Sequence, residues 1–190
     1  MKRAILSTIR RRKDRDMSGT LPNLLDQRRL EWANQRWNRW SLFFYSKGVV
    51  HKEFVPPGQT VNDAFYVEVL KRLKKRVARV RPEIANTWVL HHNAPSHASL
   101  LVRKFLAKQT VATLPQPPYS PDLAPPDFFL FPQLKSSLKG HHFGTVKNVQ
   151  AAVMNALKEI PVQDFQAGYD VWQNRWQRCI DAQGCYFEGY

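Results

Sequence analysis

Six of the twelve residues from Pro115 to Pro126 are proline. Each fixes its own φ near about −65°, supplies no amide hydrogen and pushes the residue before it out of the helical region. The stretch is therefore read as an extended, rigid connection without helix, and regular elements must lie on either side of it. Upstream, Leu42-Phe43-Phe44-Tyr45 and Val49–Val55 are β-rich runs joined by Ser46-Lys47-Gly48, a hairpin closed by Pro56-Pro57-Gly58. Thr60 or Asn62 then caps a helix in which Phe65, Val69, Leu73, Val77 and Val80 recur at helical steps, and Pro82 ends it. Thr87–His91 reads as a short, buried central strand, Ala94–Lys108 as a helix and Val111–Leu114 as another strand.

Downstream of the prolines the pattern is helical. Asp127 opens a helix that runs to Lys139 and stops at Gly140, and Thr145 caps a second one with Val146, Val149, Val153 and Leu157 inward. A last helix carries Phe165, Tyr169, Trp172, Trp176 and Ile180; such a stripe could stack bases, but its spacing favours core packing. Hairpin, helix, strand, helix, strand and then helices predict an α/β sheet flanked by helices. Residues 1–40 differ in character and are read as a separate basic segment, helical from Leu24 to Trp40. Within it Arg10-Arg11-Arg12-Lys13 fits a nuclear address, a phosphate-contacting arm or a solvated helix end equally well.

Charge narrows the partners. Twenty-nine Lys and Arg against fifteen Asp and Glu give +14, the balance of a protein that binds polyanions. On the helix after the hairpin, Lys71, Arg72, Lys74, Lys75, Arg76 and Arg79 form a basic face, either simply wet or able to bind a nucleic-acid backbone. Cys179 and Cys185 make no disulfide framework or metal pair, which suits a reducing compartment. No apolar run reaches the about 18 residues of a membrane span, and Met1–Ile9 is too short and polar for a secretory signal.

The blocks Leu90-His91-His92-Asn93-Ala94-Pro95-Ser96-His97 and Tyr119-Ser120-Pro121-Asp122-Leu123-Ala124-Pro125-Pro126-Asp127 resemble the end of the catalytic domain of mariner-family DNA transposases. The resemblance runs from Leu42 to Tyr190 and includes Pro56–Asn62 and Tyr186-Phe187-Glu188. It implies an RNase H-like fold, a mixed sheet flanked by helices, over residues 41–190. In the family the two blocks carry the second and third metal-binding carboxylates, with thirty-four residues between them. His92 and Asp127 keep that separation here, so Asp127 matches the third catalytic, metal-binding carboxylate while His92 replaces the second.

The family's first carboxylate lies in a Thr-Gly-Asp-Glu block on a strand before the hairpin. No such block precedes Leu42, where Asp14, Asp16, Asp26 and Glu31 are the only acids. The family's N-terminal pair of helix-turn-helix units has no counterpart either. The domain is therefore expected to be truncated and its sheet incomplete, lacking the first strand and leaving two neighbours with unpaired backbone groups. Ala4–Ile9 could fill the gap, but a sheet with a defect or an unstable chain is the stronger expectation.

Transposases of this class cut and join DNA with a pair of magnesium ions, which need oxygen ligands. An imidazole at position 92 brings no negative charge and suits zinc, nickel or copper better, so magnesium binding is expected to be weak or lost. His91, His92 and His97 have no paired cysteine ligands with them, so zinc is not the metal expected here. Asp127 also fits a helix-capping role, Asp122 reads as a turn residue, and Asn93 as support for the strand end. The reading is a degenerate transposase fragment, nuclear, that binds DNA through phosphate contacts and no longer cuts it. Its alternatives are a non-catalytic interaction or dimerisation module and a residual metal-dependent endonuclease using Asp127. Neither a membrane nor a small-molecule substrate is expected.

Overall fold

The computed structural model describes residues 3–9, 40–56, 58–92, 99–117, 120–141 and 143–183. Five strands form one sheet: β1 (Arg3–Ile9), β2 (Trp40–Tyr45), β3 (Gly48–Phe54), β4 (Trp88–His92) and β5 (Ala112–Pro115). Their order across it is β3-β2-β1-β4-β5. β1 runs antiparallel to β2, with Leu6 opposite Phe44, and parallel to β4, with Leu6 opposite His91. The helices are α1 (Asp63–Val80), α2 (Leu100–Lys108), α3 (Phe131–Leu138), α4 (Val146–Glu159) and α5 (Val162–Asp181).

The central position held by β1 corrects the expectation of a missing first strand. Arg3–Ile9 occupies that place, so β2 and β4 each have a partner on the side that was expected to be bare. The fold is thus the expected RNase H-like mixed sheet with its central strand present, and the sheet-forming part of the chain starts at Arg3. Trp40 opens β2 where it was expected to end a helix; residues 10–39, and with them Arg10–Lys13 and most of that expected helix, lie outside the described residues.

Alternation along β2 creates two cores. Phe43 and Tyr45 point into a layer formed with Tyr66, Leu70, Leu73 and Val77 of α1 and with Val102 and Leu106 of α2. Trp40, Leu42 and Phe44 point the other way, against Leu130, Phe131 and Leu134, Val153 and Leu157 of α4, and Phe165 and Trp172 of α5. All six residues of β2 are buried, as a strand covered on both faces requires.

Local chemistry sets the helix ends. Asn62 is the cap of α1, its Oδ1 accepting from Phe65 N at 2.9 Å, and Thr145 caps α4 by accepting from Asn148 N at 3.2 Å. α2 begins at Leu100, not at Ala94, because Ser99 Oγ accepts from Val102 N at 3.3 Å. The aromatic stripe of α5 is core for Phe165 and Trp172, while Ile180 at its end is exposed. Within the proline stretch, Pro121–Leu123 makes a 3₁₀ turn and Pro126–Leu130 a π turn leading into α3, so the connection is less extended than the prolines alone predict.

Because β1 pairs on both sides, deleting residues 1–9 should abolish cooperative unfolding. The deleted chain is expected to lose its near-UV circular dichroism signal and its sharp thermal transition; retention of both would show that β1 is dispensable.

Candidate active site

Parallel strands β1 and β4 end at the same edge of the sheet. Leu6 stands opposite His91, so the β1 residues level with the end of β4 are Ser7 and Thr8. The sequence of β1, Arg-Ala-Ile-Leu-Ser-Thr-Ile, contains no acid, so no choice of register can supply a carboxylate from this strand. His92 is the last residue of β4. Asn93 and His97 lie outside the described residues.

Asp127 comes from the opposite side of the proline stretch, in the first turn of the π turn. Its backbone N donates to Ala124 O at 2.8 Å and its side chain is exposed. It is not the cap of this turn: Pro125 holds that position and no side chain caps it. A carboxylate here instead gains from the partial positive charge of the helix start. π turns concentrate at functional sites, because the extra residue re-aims the side chains around it.

Contacts with α5 hold this segment in place. Trp172 Nε1 donates to Leu123 O at 2.9 Å in a buried contact, and Arg175 Nη1 donates to Asp122 O at 2.8 Å. The same guanidinium lies 4.2 Å from the centre of the Phe128 ring. Phe129, next along, meets Phe165 edge-on with centroids 5.6 Å apart and presses on Gly168, where a Cβ would come within 2.9 Å of the ring. Trp172 and Arg175, one turn apart on α5, are positioning residues; the sequence indicated Trp172 only as core periodicity and did not mark Arg175.

His91 belongs to this support and not to a metal centre. It is 2% exposed, its ring lies 5.1 Å from Trp172, and its Nδ1–H donates to Leu114 O at 3.0 Å, since a carbonyl can only accept. Burial pushes its pKa below the ordinary imidazole range, against the opposing effect of that hydrogen bond. Among the described residues no three His, Cys, Asp or Glu side chains gather as metal ligands. The donors at the sheet edge do not fit a pair of magnesium ions, because β1 offers no carboxylate and β4 ends in histidine.

The six cations of α1 do not converge on Asp127, because the sheet lies between them: α1 packs in one core layer and the Asp127 segment in the other. Several are already engaged. Arg72 makes a bidentate pair with Glu53 at 2.7 and 2.9 Å, Lys71 pairs with Glu68 at 2.6 Å, and Lys74 donates to Gln109. Lys75, Arg76 and Arg79 are exposed and in none of the described ion pairs. Lys52, Lys135, Lys139 and Lys158, not singled out by sequence, lie on elements that pack on the Asp127 side, where no basic run marks them.

A family model described as a transposase, partial DDE domain, matches residues 40–87. The Mariner Mos1 transposase of Drosophila mauritiana is 32% identical over 145 residues, which is 74% of this chain and 42% of that protein. The histone-lysine N-methyltransferase SETMAR of Homo sapiens is 26% identical over 151 residues, 78% of this chain and 22% of that protein. The chain thus spans less than half the length of either relative. Among solved structures, the Mos1 transposase catalytic domain with Raltegravir and Mg is 31% identical with a TM-score of 0.71, covering 79% of this chain and 77% of that one. The Mos1 paired-end complex with Mn has a TM-score of 0.76 at 26% identity, covering 98% of this chain and 57% of that one.

Two outcomes follow from the support network. Trp172→Phe leaves Leu123 O buried without its donor and should cost about 1–3 kcal/mol in urea unfolding; an unchanged midpoint would show that this bond holds nothing. An imidazole kept neutral by the fold binds fewer protons folded than unfolded. Stability is then complete above the unfolded pKa of about 6.5 and falls as the pH drops below it. His51, whose pKa burial also lowers, acts in the same direction. His91→Gln should therefore reduce, not remove, the stability difference between neutral and mildly acidic pH; an undiminished difference would contradict this assignment.

Proposed function

The chain belongs to the mariner family of DDE transposases, and on that footing we propose that it is a DNA-binding catalytic-domain remnant that does not cut DNA. One observation carries the proposal: of three positions that should each supply a carboxylate, β1 supplies none, β4 ends in His92, and only Asp127 remains. A single carboxylate leaves the charge of two divalent ions largely uncompensated, and imidazole is a poor ligand for magnesium. The solved relatives include Mos1 catalytic domains with Mg and with Mn, so the contrast lies in this chain's donors.

Binding is a separate capacity from cutting. A charge of +14 attracts the phosphate backbone whatever the state of the site. Lys75, Arg76 and Arg79 of α1, in none of the described ion pairs, serve one face of the domain, and nuclear location accompanies a role on DNA. Likeness to the Mos1 paired-end complexes keeps homodimer formation within the proposal.

Affinity for duplex DNA should fall steeply as salt rises, by about 0.9 log units per log unit of salt for each phosphate contact. Supercoiled plasmid should stay intact in Mg²⁺ or Mn²⁺, and His92→Asp should not restore nicking, because β1 still lacks an acid. Salt-independent binding would remove the DNA-binding half. Nicking by the natural chain that Asp127→Ala abolishes would replace the proposal with a working endonuclease.

A further inference from the structure

At the sheet end where β2 begins and β3 finishes, on the side that carries Asp127, lies a cavity of about 300 Å³. Trp40, Phe54, Leu134 and Leu138 form its apolar floor and walls, and Lys135, Lys139 and Gln150 supply its polar lining. Trp40 is buried behind Phe54, their rings stacked with centroids 6.0 Å apart and planes within 20°. Phe54 is only half-buried and lines the space.

The charge around this cavity differs from that on α1. Lys135 and Lys139, one helical turn apart, are exposed, and none of the described ion pairs involves them. Lys52, two residues before Phe54 on the same face of β3, is half-buried and likewise in none of the described ion pairs, and Lys158 of α4 lies near enough to oppose its charge. Burial and then this like charge lower the Lys52 pKa. On α1, by contrast, carboxylates already neutralise Arg72 and Lys71.

An aromatic wall, paired ammonium groups and one side-chain amide match a nucleotide better than an acidic peptide. A base offers a π-face to Phe54 and a donor and acceptor edge to Gln150, while carboxylates use only the lysines. The volume lies at the small end for ligand sites, room for one base and not for a helix. Duplex DNA hides its base faces in the stack, so only an unpaired base can enter.

We propose that this cavity binds an unpaired base of single-stranded DNA, the ring against Phe54 and the flanking phosphates on Lys135 and Lys139. The inference rests on the DNA-binding reading above and adds to it a site and a preferred form of DNA.

The test measures affinity of the full chain for a single-stranded oligothymidylate and for a duplex of the same length, across a salt series. Phe54→Leu should weaken single-strand binding about fivefold or more and leave duplex binding unchanged. K135Q/K139Q should lower the single-strand salt slope by about 1.4, at about 0.7 per phosphate contact. An oligonucleotide carrying 2-aminopurine should be quenched by the natural chain and less so by Phe54→Leu. Near-UV circular dichroism checks that variant's fold; should it fail to fold, the exposed lysine pair carries the test alone. Full-strength single-strand binding and slope in the folded variants overturns the cavity and leaves DNA binding standing. A natural chain that binds neither form of DNA overturns both. An oligoglutamate peptide whose binding falls in K135Q/K139Q, with DNA binding unchanged, overturns the inference in favour of an acidic polypeptide.

Discussion

The backbone pairing of β1 is the constraint on which the molecule depends. A strand in the middle of a sheet satisfies donors and acceptors on two neighbours at once, and leaving those groups buried and unpaired would be costly. β1 lies between the hairpin and the β4–β5 pair and joins them into one sheet. The same strand holds the place where the family's first carboxylate would sit, and it holds that place without an acid. Architecture and chemistry thus part company at one element: hydrogen bonding asks only for backbone, which Arg3–Ile9 supplies, while metal binding asks for a side chain it does not have.

This separation explains what could be read from sequence. The hairpin, the caps Asn62 and Thr145 and the stripe from Phe165 to Trp172 rest on local rules, and they fold as those rules require. β1 was not legible in the same way. Its alternation is irregular, it sits beside a run of arginines, and its pairing with β4 spans more than eighty residues. The start of α2 was misplaced because Pro95 is tolerated in a first helical turn, whereas the hydrogen bond from Val102 N to Ser99 puts the cap later. Of the candidate site, Asp127 was found by resemblance, but its support from Trp172 and Arg175 depends on a tertiary contact between α5 and the proline stretch.

Charge is likewise distributed by layer. A helix wheel of α1 suggests one continuous basic face, yet in three dimensions Glu53 and Glu68 neutralise part of it, and the sheet separates all of it from Asp127. The lysines beside Trp40 and Phe54 come from distant parts of the chain, so no run in the sequence marks them. Net charge alone could not have told these surfaces apart.

The π turn at Pro126–Leu130 ties geometry to chain length. Its closing bond, from Phe131 N to Pro126 O, takes in one residue more than an α-helical turn. Removing that residue would rotate everything beyond it by about 100° relative to Asp127. Either Asp127 would leave its place or Phe131 and Leu134 would leave the core. Insertions and deletions here therefore meet resistance from packing whether or not the carboxylate has work to do. The spacing between positions 92 and 127 is thus held by folding, whatever residue stands at either position.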